Sequence, residues 1–221
     1  MLRSLWSSHD IVFDRGYLTL ARFRGAPIRF HWSLALGVLF VSGLEFAPGR
    51  WLGYVLVILL HELGHAALAK TYRMQVLEVM LHGMGGHCRY AGQPTPFERA
   101  VIASGGILAQ LVILAIALPL SFFLVEGPLT AGLFDALVRT NIILMVLNLI
   151  PIAPLDGAEI AKIPALLRGR RLARQAREVR SRVEVKAGGK LDLGDVDEAA
   201  VRDTVRRALD DARRGSRDRP N

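Results

Sequence analysis

Long uncharged runs dominate the hydropathy pattern. Residues 100–125 carry no charged side chain over 26 positions. About 20 apolar residues suffice to cross the hydrocarbon core of a bilayer, so this stretch predicts a transmembrane helix. The run 30–44 is also uncharged and reaches spanning length when extended to Ala47. Residues 51–69 are apolar except for His61, Glu62 and His65. Residues 131–155 are apolar except for Asp135 and Arg139. Those two are four apart, a spacing that predicts a pair on one helix face. The pattern therefore predicts four spans.

The segments between and after these runs read differently. Residues 74–90 are MQVLEVMLHGMGGHCRY. Positions 75–81 are rich in β formers, and Gly83, Gly85 and Gly86 follow where tight turns or close backbone approach are served. They predict a short strand or hairpin at the membrane face, with residues 17–24 as its candidate partner. Past Glu159, residues 160–182 are Arg-rich and predict a helix. Residues 182–193 alternate around Gly188 and Gly189, as a hairpin does. Residues 197–213 place Ala200, Val201, Val205, Ala208, Leu209 and Ala212 at helical spacing. The last eight residues have the composition of a disordered end. No internal repeat is visible.

Charge then sets orientation. Of 28 Lys and Arg, five lie before residue 30, four in the 70–99 connection and 17 after Glu159. Lys and Arg gather on the cytoplasmic side of short loops, so four spans with both termini cytoplasmic fit the distribution. The first apolar run begins near residue 30, behind five arginines and with no A-x-A-like site after it. It predicts a retained anchor rather than a cleaved signal peptide. The expected organisation is an N-terminal cytoplasmic segment 1–29, a membrane-embedded core 30–158 and a basic cytoplasmic tail 159–221. The fold class is an all-α polytopic membrane protein with a small membrane-associated β segment and a short tail, helical or α/β. Hydrophobic residues are 52% of the 221, and the net charge is +8. The single cysteine, Cys88, excludes an intramolecular disulfide framework. Charge alone would admit a soluble nucleic-acid binder, but the apolar runs do not. The Arg168–Arg182 stretch is read as a positive-inside flank, with anionic lipid as its next partner. Nucleic acid is not expected, because no stacking aromatics accompany these arginines.

The second run contains the chemistry. His61-Glu62-Leu63-Gly64-His65 is an HExxH motif. On an α-helix, residues four apart lie about 40° apart in azimuth and one turn apart. Both imidazoles can therefore reach one metal ion, and Glu62 sits beside them as a base for water. A polar stripe facing a cavity is the plainer alternative. Two histidines and a glutamate inside a hydrocarbon-length helix are expensive, however, and a metal relieves that cost. A catalytic zinc takes three protein ligands, so one is still missing.

Residues 148–157, NLIPIAPLDG, close the fourth run. Asp156 is a carboxylate at or near membrane depth. Pro151 and Pro154 break the helix and free carbonyls, which a membrane tolerates only around a cavity or inside protein. Gly157 permits a sharp turn. Alone, the segment reads as a proline-rich helix exit with an interfacial aspartate.

HExxH in one span and N-x-x-P-x-x-P-L-D-G in a later one resemble the site-2 protease family of intramembrane zinc metalloproteases. Residues 25–32 (GAPIRFHW) resemble that family's lead into its first span. Residues 81–87 (LHGMGGH) resemble its glycine-containing β segment, and residues 103–110 (ASGGILAQ) stand where it usually has A-G-P-x-x-N. Asn141 falls where many members carry Asn. The likeness covers about residues 16–160. It departs at Gly106, where the family has Pro, and at Gln110, where it has Asn.

The resemblance implies hydrolysis of a membrane-embedded peptide bond. His61, His65 and Asp156 would hold Zn²⁺, and Glu62 would relay the proton from water to the leaving amine. Asn148, Gly85, Gly86 and Gln110 become candidates for holding substrate. The substrates would be single-span membrane proteins, locally unwound. An unwound segment has the extended form that can add to a sheet edge as a strand. The alternatives are a catalytically silent scaffold of the same fold and an anchored zincin working in the cytoplasm. The first has no use for Glu62, and the second needs an HExxH outside an apolar run. His82 and His87 are read as loop histidines, His31 as an interfacial residue beside Trp32, and Gly105 and Ala109 as a helix-packing pair. Arg-rich, Lys-poor composition is compatible with a bacterial source.

Overall fold

The computed structural model describes residues 12–14 and 16–186, together with 203 and 206. Contacts divide the chain into two units, Met1–Gly169 and Arg170–Asn221. The first runs β1 (Val12–Asp14), β2 (Tyr17–Phe23), β3 (Ala26–His31), α1 (Leu34–Val41), α2 (Pro48–Thr71), β4 (Gln75–His82) and β5 (Gly85–Ala91). It continues through α3 (Pro96–Leu124), α4 (Pro128–Asp135), a π-helical turn (Ala136–Thr140), α5 (Asn141–Asn148) and α6 (Gly157–Ile160). The last helix, α7 (Ile163–Lys186), carries the chain into the second unit.

Among the described residues, three helices are long and apolar enough to cross a membrane: Pro48–Thr71, Pro96–Leu124 and the continuous Pro128–Asn148. The expected fourth, residues 30–47, is not one helix. Its start belongs to β3, α1 covers only Leu34–Val41, and residues 42–47 are turn and coil. Two local causes are visible. Gly43 and Leu44 take the left-handed conformation, with φ of 70° and 66°, which ends the helix. Trp51 Nε1 then donates to Ser42 Oγ at 3.0 Å, fixing the connection against α2.

The β segment is also larger than the sequence predicts. Five strands form one sheet in the order β1-β2-β3-β4-β5, and β3 and β4 are its parallel pair. Residues 17–24 do not reach 75–81, because the Arg24–Gly25 turn folds β2 back on β3 and β3 takes the place beside β4. The reason lies in β3 itself. Its alternate residues Ala26 and Ile28 are buried, joining Val79 and Leu81 on the sheet face that packs against Tyr54, Ile58 and Ala66 of α2. On the opposite face Glu78 accepts from Arg29 at 2.9 Å and Arg89 at 2.7 Å, so one carboxylate ties three strands together.

The sheet runs alongside the spanning helix rather than capping its end. At the base, Met74 N donates to Ala69 O at 2.9 Å. At the tip, Tyr54 Oη donates to Gly83 O at 3.1 Å. An eight-residue strand reaches about 26 Å at ~3.3 Å per residue. The α2 backbone from Tyr54 to Thr71 rises about as far at 1.5 Å per residue. Gly83 and Gly37 permit the tip contact: a Cβ on Gly83 would meet the Ser33 carbonyl, and one on Gly37 the Gly83 carbonyl.

Helix α3 begins at a complete capping box: Thr95 N donates to Glu98 Oε2 at 2.7 Å, and Glu98 N donates to Thr95 Oγ1 at 3.3 Å. It crosses α2 where Gly64 meets Gly105 and Ala109, as the small-residue spacing predicts. Helix α4 closes on the start of α2 through Gly49 and Gly53. That approach brings Arg50 to Asp135, at 3.2 Å, so Asp135 pairs across helices and not with Arg139 as its spacing predicts.

In the second unit the Arg-rich stretch is helical as expected. The helix runs on through Lys186, replacing the first arm of the hairpin expected at 182–193, since no breaker occurs before Gly188. The rest of that hairpin and the last eight residues lie outside the described residues. Of the helix expected at 197–213, only 203 and 206 are described, and both are helical.

Gly53→Ala tests the α2–α4 contact, because its Cβ would stand 2.6 Å from Ala136 Cβ and 2.8 Å from Leu133 O. Overpacking of this kind costs about 1–3 kcal/mol. Tryptophan-monitored unfolding in detergent should show a midpoint several degrees lower, while Leu52→Ala, on an exposed position, should leave it unchanged.

Candidate metal centre

Helix α2 presents His61 and His65 one turn apart, at 7% and 8% exposure. Helix α5 ends at Asn148, and the Pro151–Pro154 segment leads back without helix to Asp156. The return is tight because Gly157 has no Cβ: one there would overlap the carbonyls of Leu149 and Ile150. Its need is thus close approach rather than an unusual φ.

Three donor atoms converge as a result. His61 Nε2 lies 3.1 Å from His65 Nε2. Asp156 Oδ2 lies 3.2 Å from the first and 3.3 Å from the second. Three ligands on one face of a tetrahedron with bonds of ~2.0–2.1 Å are separated by about 3.3–3.4 Å. The observed triangle fits that face closely.

The hydrogen bonds decide what the triangle is for. His61 Nδ1 faces Gln110 Oε1 at 3.1 Å, and His65 Nδ1 faces the Ile102 carbonyl at 2.9 Å. Both partners accept, so both Nδ1 atoms donate and both Nε2 atoms keep their lone pairs in the neutral rings. Two lone pairs and a carboxylate oxygen therefore point at one another. Asp156 Oδ2 is buried without a hydrogen-bond partner among the described residues. Such a cluster is repulsive unless a cation sits at its centre. The donor set, its spacing and its second-sphere partners suit a divalent metal.

Glu62 stands apart from the ligand set. It is 4% exposed, and its carboxylate faces the Cys88 backbone N–H and Gly86 of β5. A Cβ on Gly86 would stand 2.5 Å from Glu62 Oε1, so a glycine is required there. Gly85 opens β5 with φ of 139° and nothing near its Cβ position. Asn148 Nδ2 lies 3.4 Å from His61 Nε2, which puts its amide at the rim of the triangle.

Gln110 is buried against His61. It is 1% exposed and spends its Oε1 on His61. Asn141 supports it by donating to the Gln110 carbonyl at 2.9 Å. Gly106 is the residue that sequence reasoning undervalued: a Cβ there would lie 2.6 Å from both His61 Nδ1 and His65 Nε2. Its position one turn before Gln110 was the available signal. His82 and His87 lie outside the cluster, on the sheet face away from α2. Burial, with His31 and His87 nearby, lowers the His82 pKa. The His31 and Trp32 rings lie tilted with their centroids 5.4 Å apart, and His31 Nδ1 meets Ser33 Oγ at 2.7 Å. Burial, and after it the Glu62 carboxylate, push the Cys88 thiol up to about 12, which keeps it protonated and unreactive.

A family model described as Peptidase M50B-like matches residues 34–153. The chain belongs to this family, that of the site-2 proteases. It is 28% identical over 153 residues to a zinc metalloprotease of Methanocaldococcus jannaschii, covering 66% of this chain and 44% of that protein. It is 33% identical over 110 residues to stage IV sporulation protein FB of Bacillus subtilis, covering 48% and 36%. The Mycobacterium tuberculosis protein Rip3 is 30% identical over 170 residues, covering 67% and 43%. The chain thus spans less than half the length of these curated relatives. The solved site-2 protease from Methanocaldococcus jannaschii superposes with a TM-score of 0.53 at 27% identity, over 68% of this chain and 71% of that one. Family membership and the three apolar helices make this a membrane protein.

Removing the His61 partner should loosen the site without touching a ligand. Loss of an outer-sphere partner typically weakens metal affinity ~10–100-fold. Gln110→Leu should do so in a chelator competition assay, and Gln110→Glu should restore most of it. Equal affinity in Gln110→Leu and wild type would mean that the His61 tautomer is fixed elsewhere.

Proposed function

We propose that this chain is a zinc-dependent endopeptidase that cuts peptide bonds within or near the transmembrane segments of membrane-anchored substrates. The observation that carries the reading is the buried triangle of His61 Nε2, His65 Nε2 and Asp156 Oδ2 beside Glu62. When bound, zinc supplies Lewis acidity, which polarises a carbonyl and acidifies water.

The chain's own residues divide the remaining work. Glu62 holds a proton at its carboxylate, taking it from the attacking water and giving it to the leaving amine. Gln110 and the Ile102 carbonyl hold the two imidazoles in one tautomer and orientation. The Asn148 amide is placed to hold the substrate backbone. Edge strand β5 passes Glu62 with the Cys88 N–H turned toward that carboxylate, so a peptide added along this edge would run past the base. Gly85 and Gly86 leave that approach clear of side chains. A helical substrate hides its carbonyls in i→i−4 bonds and must unwind first. Substrates with Gly, Pro or polar residues in the span should therefore be cut fastest.

Topology follows the same reading. The connection after α2 and the segment after α5 are separated by two spans, so both lie on one side, with their Lys and Arg cytoplasmic. Strand β3 and α1 together cover about the thickness of the hydrocarbon core. They would return the N-terminal strands to that same side.

Purified full chain, assayed on a panel of single-span substrates, tests the function. Wild type should bind about one zinc and cut. Glu62→Gln should keep the zinc and lose ~10²–10⁴-fold in rate. Asp156→Ala should lose both metal and activity. A zinc-loaded wild type that cuts no member of a panel containing helix-destabilised spans would favour the silent scaffold.

A further inference from the structure

We infer that Arg24, Lys70 and Arg73 form a binding site for the phosphate headgroup of an anionic phospholipid, at the membrane face where the sheet meets the end of α2. A cavity of about 490 Å³ opens there, lined by those three cations with Gly25, Met74, Gln75 and Val76. No carboxylate lines it, and among the described residues none of the three cations forms an ion pair with one.

The backbone holds the cations at this cavity against local preference. Arg24 and Arg73 both take the left-handed conformation, with φ of 48° and 60°. Glycine or asparagine adopts that conformation at far lower cost. Arg24 occupies the two-residue turn between β2 and β3, and Arg73 the position just past the C-terminus of α2. Two unrelated turns thus each place an arginine where a glycine would be easier, and both arginines line the same cavity. Strained positions of this kind concentrate at ligand sites. Lys70 joins the turns, donating from Nζ to the Arg24 carbonyl at 2.9 Å with two further N–H groups left for a ligand.

Competition from the helix terminus is removed. The carbonyls of Leu68, Ala69 and Lys70 accept from the backbone N–H groups of Tyr72, Met74 and Arg73, so they do not face the cavity as free acceptors. The location selects the ligand. The cations sit at the end of a helix of spanning length, beside Met74 and Val76, where a phosphodiester and the start of its acyl chains meet. Anionic headgroups gain about fivefold in affinity per interfacial Lys or Arg. Arg168, Arg170, Arg171, Arg174 and Arg177 of α7, by contrast, are exposed along a helix.

Native mass spectrometry of the full chain in detergent, titrated with phosphatidylglycerol or phosphatidylcholine, tests the site. Wild type should retain one phosphatidylglycerol under conditions that strip phosphatidylcholine. Arg24→Asn/Lys70→Gln/Arg73→Asn keeps residues suited to the left-handed turns and should lose about a hundredfold of that preference. The single Arg73→Asn should lose about fivefold, and it guards against misfolding of the triple variant. Neutralising Arg170, Arg171 and Arg174 to Gln should leave the retained lipid in place. Equal loss from those tail variants would show diffuse charge attraction and overturn the site. Inorganic phosphate or an acidic peptide that displaces the lipid at equal concentration would reassign the cavity to a soluble ligand. Unchanged retention in the triple variant would also overturn the proposal.

Discussion

Burial of three lone-pair donors against one another is the constraint around which this molecule is built. Two imidazole nitrogens and a carboxylate oxygen, all 3.1 to 3.3 Å apart, would repel if nothing cationic joined them. Holding them together requires rigid supports from separate elements. Helix α2 supplies both imidazoles, α3 supplies the groups that fix their tautomers, and the proline segment after α5 returns the aspartate. The close crossing of α2 and α3 is part of the same requirement. Gly64 and Gly105 bring the backbones near enough for the Ile102 carbonyl to reach His65. A wider crossing would leave both Nδ1 atoms without acceptors and the Nε2 lone pairs undefined.

The sheet meets a second requirement, the pairing of its own backbone groups beside a spanning helix. Its inner face is apolar and lies on α2, whereas its outer face carries Arg29, Glu78 and Arg89. Backbone groups at such depth must be paired or wetted. Four strand pairings satisfy most of them, and the free edge of β5 is left next to Glu62. A polar outer face and an unpaired edge are both costly against lipid. The free edge lies beside the Glu62 carboxylate, which fits a watered cleft there.

Much of the site was legible because its information is local. The i, i+4 histidines depend only on helix geometry, and the prolines of 151–154 forbid a helix wherever they occur. Asp156 was legible through the resemblance and not through periodicity, since nothing local predicts which helix it meets. The first span was misread because hydropathy measures partition and not conformation. Residues 30–44 are apolar enough for a membrane, yet their start is strand, and strand pairing is a long-range fact set by β2 and β4. Asp135 illustrates the same limit. Its local partner at i+4 loses to Arg50, which the glycine contact of α2 with α4 brings closer.

Gly106 and Gln110 are best understood as one arrangement. They are one turn apart on the same face of α3, and both meet His61. Where the family usually has Pro and Asn, this chain has the smallest residue followed by a longer amide. Absence of a Cβ at 106 lets both imidazoles lie close against α3, in space that any side chain would take. The amide at 110 carries one more methylene than Asn and still ends with its oxygen 3.1 Å from His61 Nδ1. Asn141, fully buried, then fixes the backbone of that same turn through the Gln110 carbonyl. The two departures therefore leave the donor triangle intact. In this chain the support of His61 falls to a glycine that makes room and a glutamine whose amide reaches the ring.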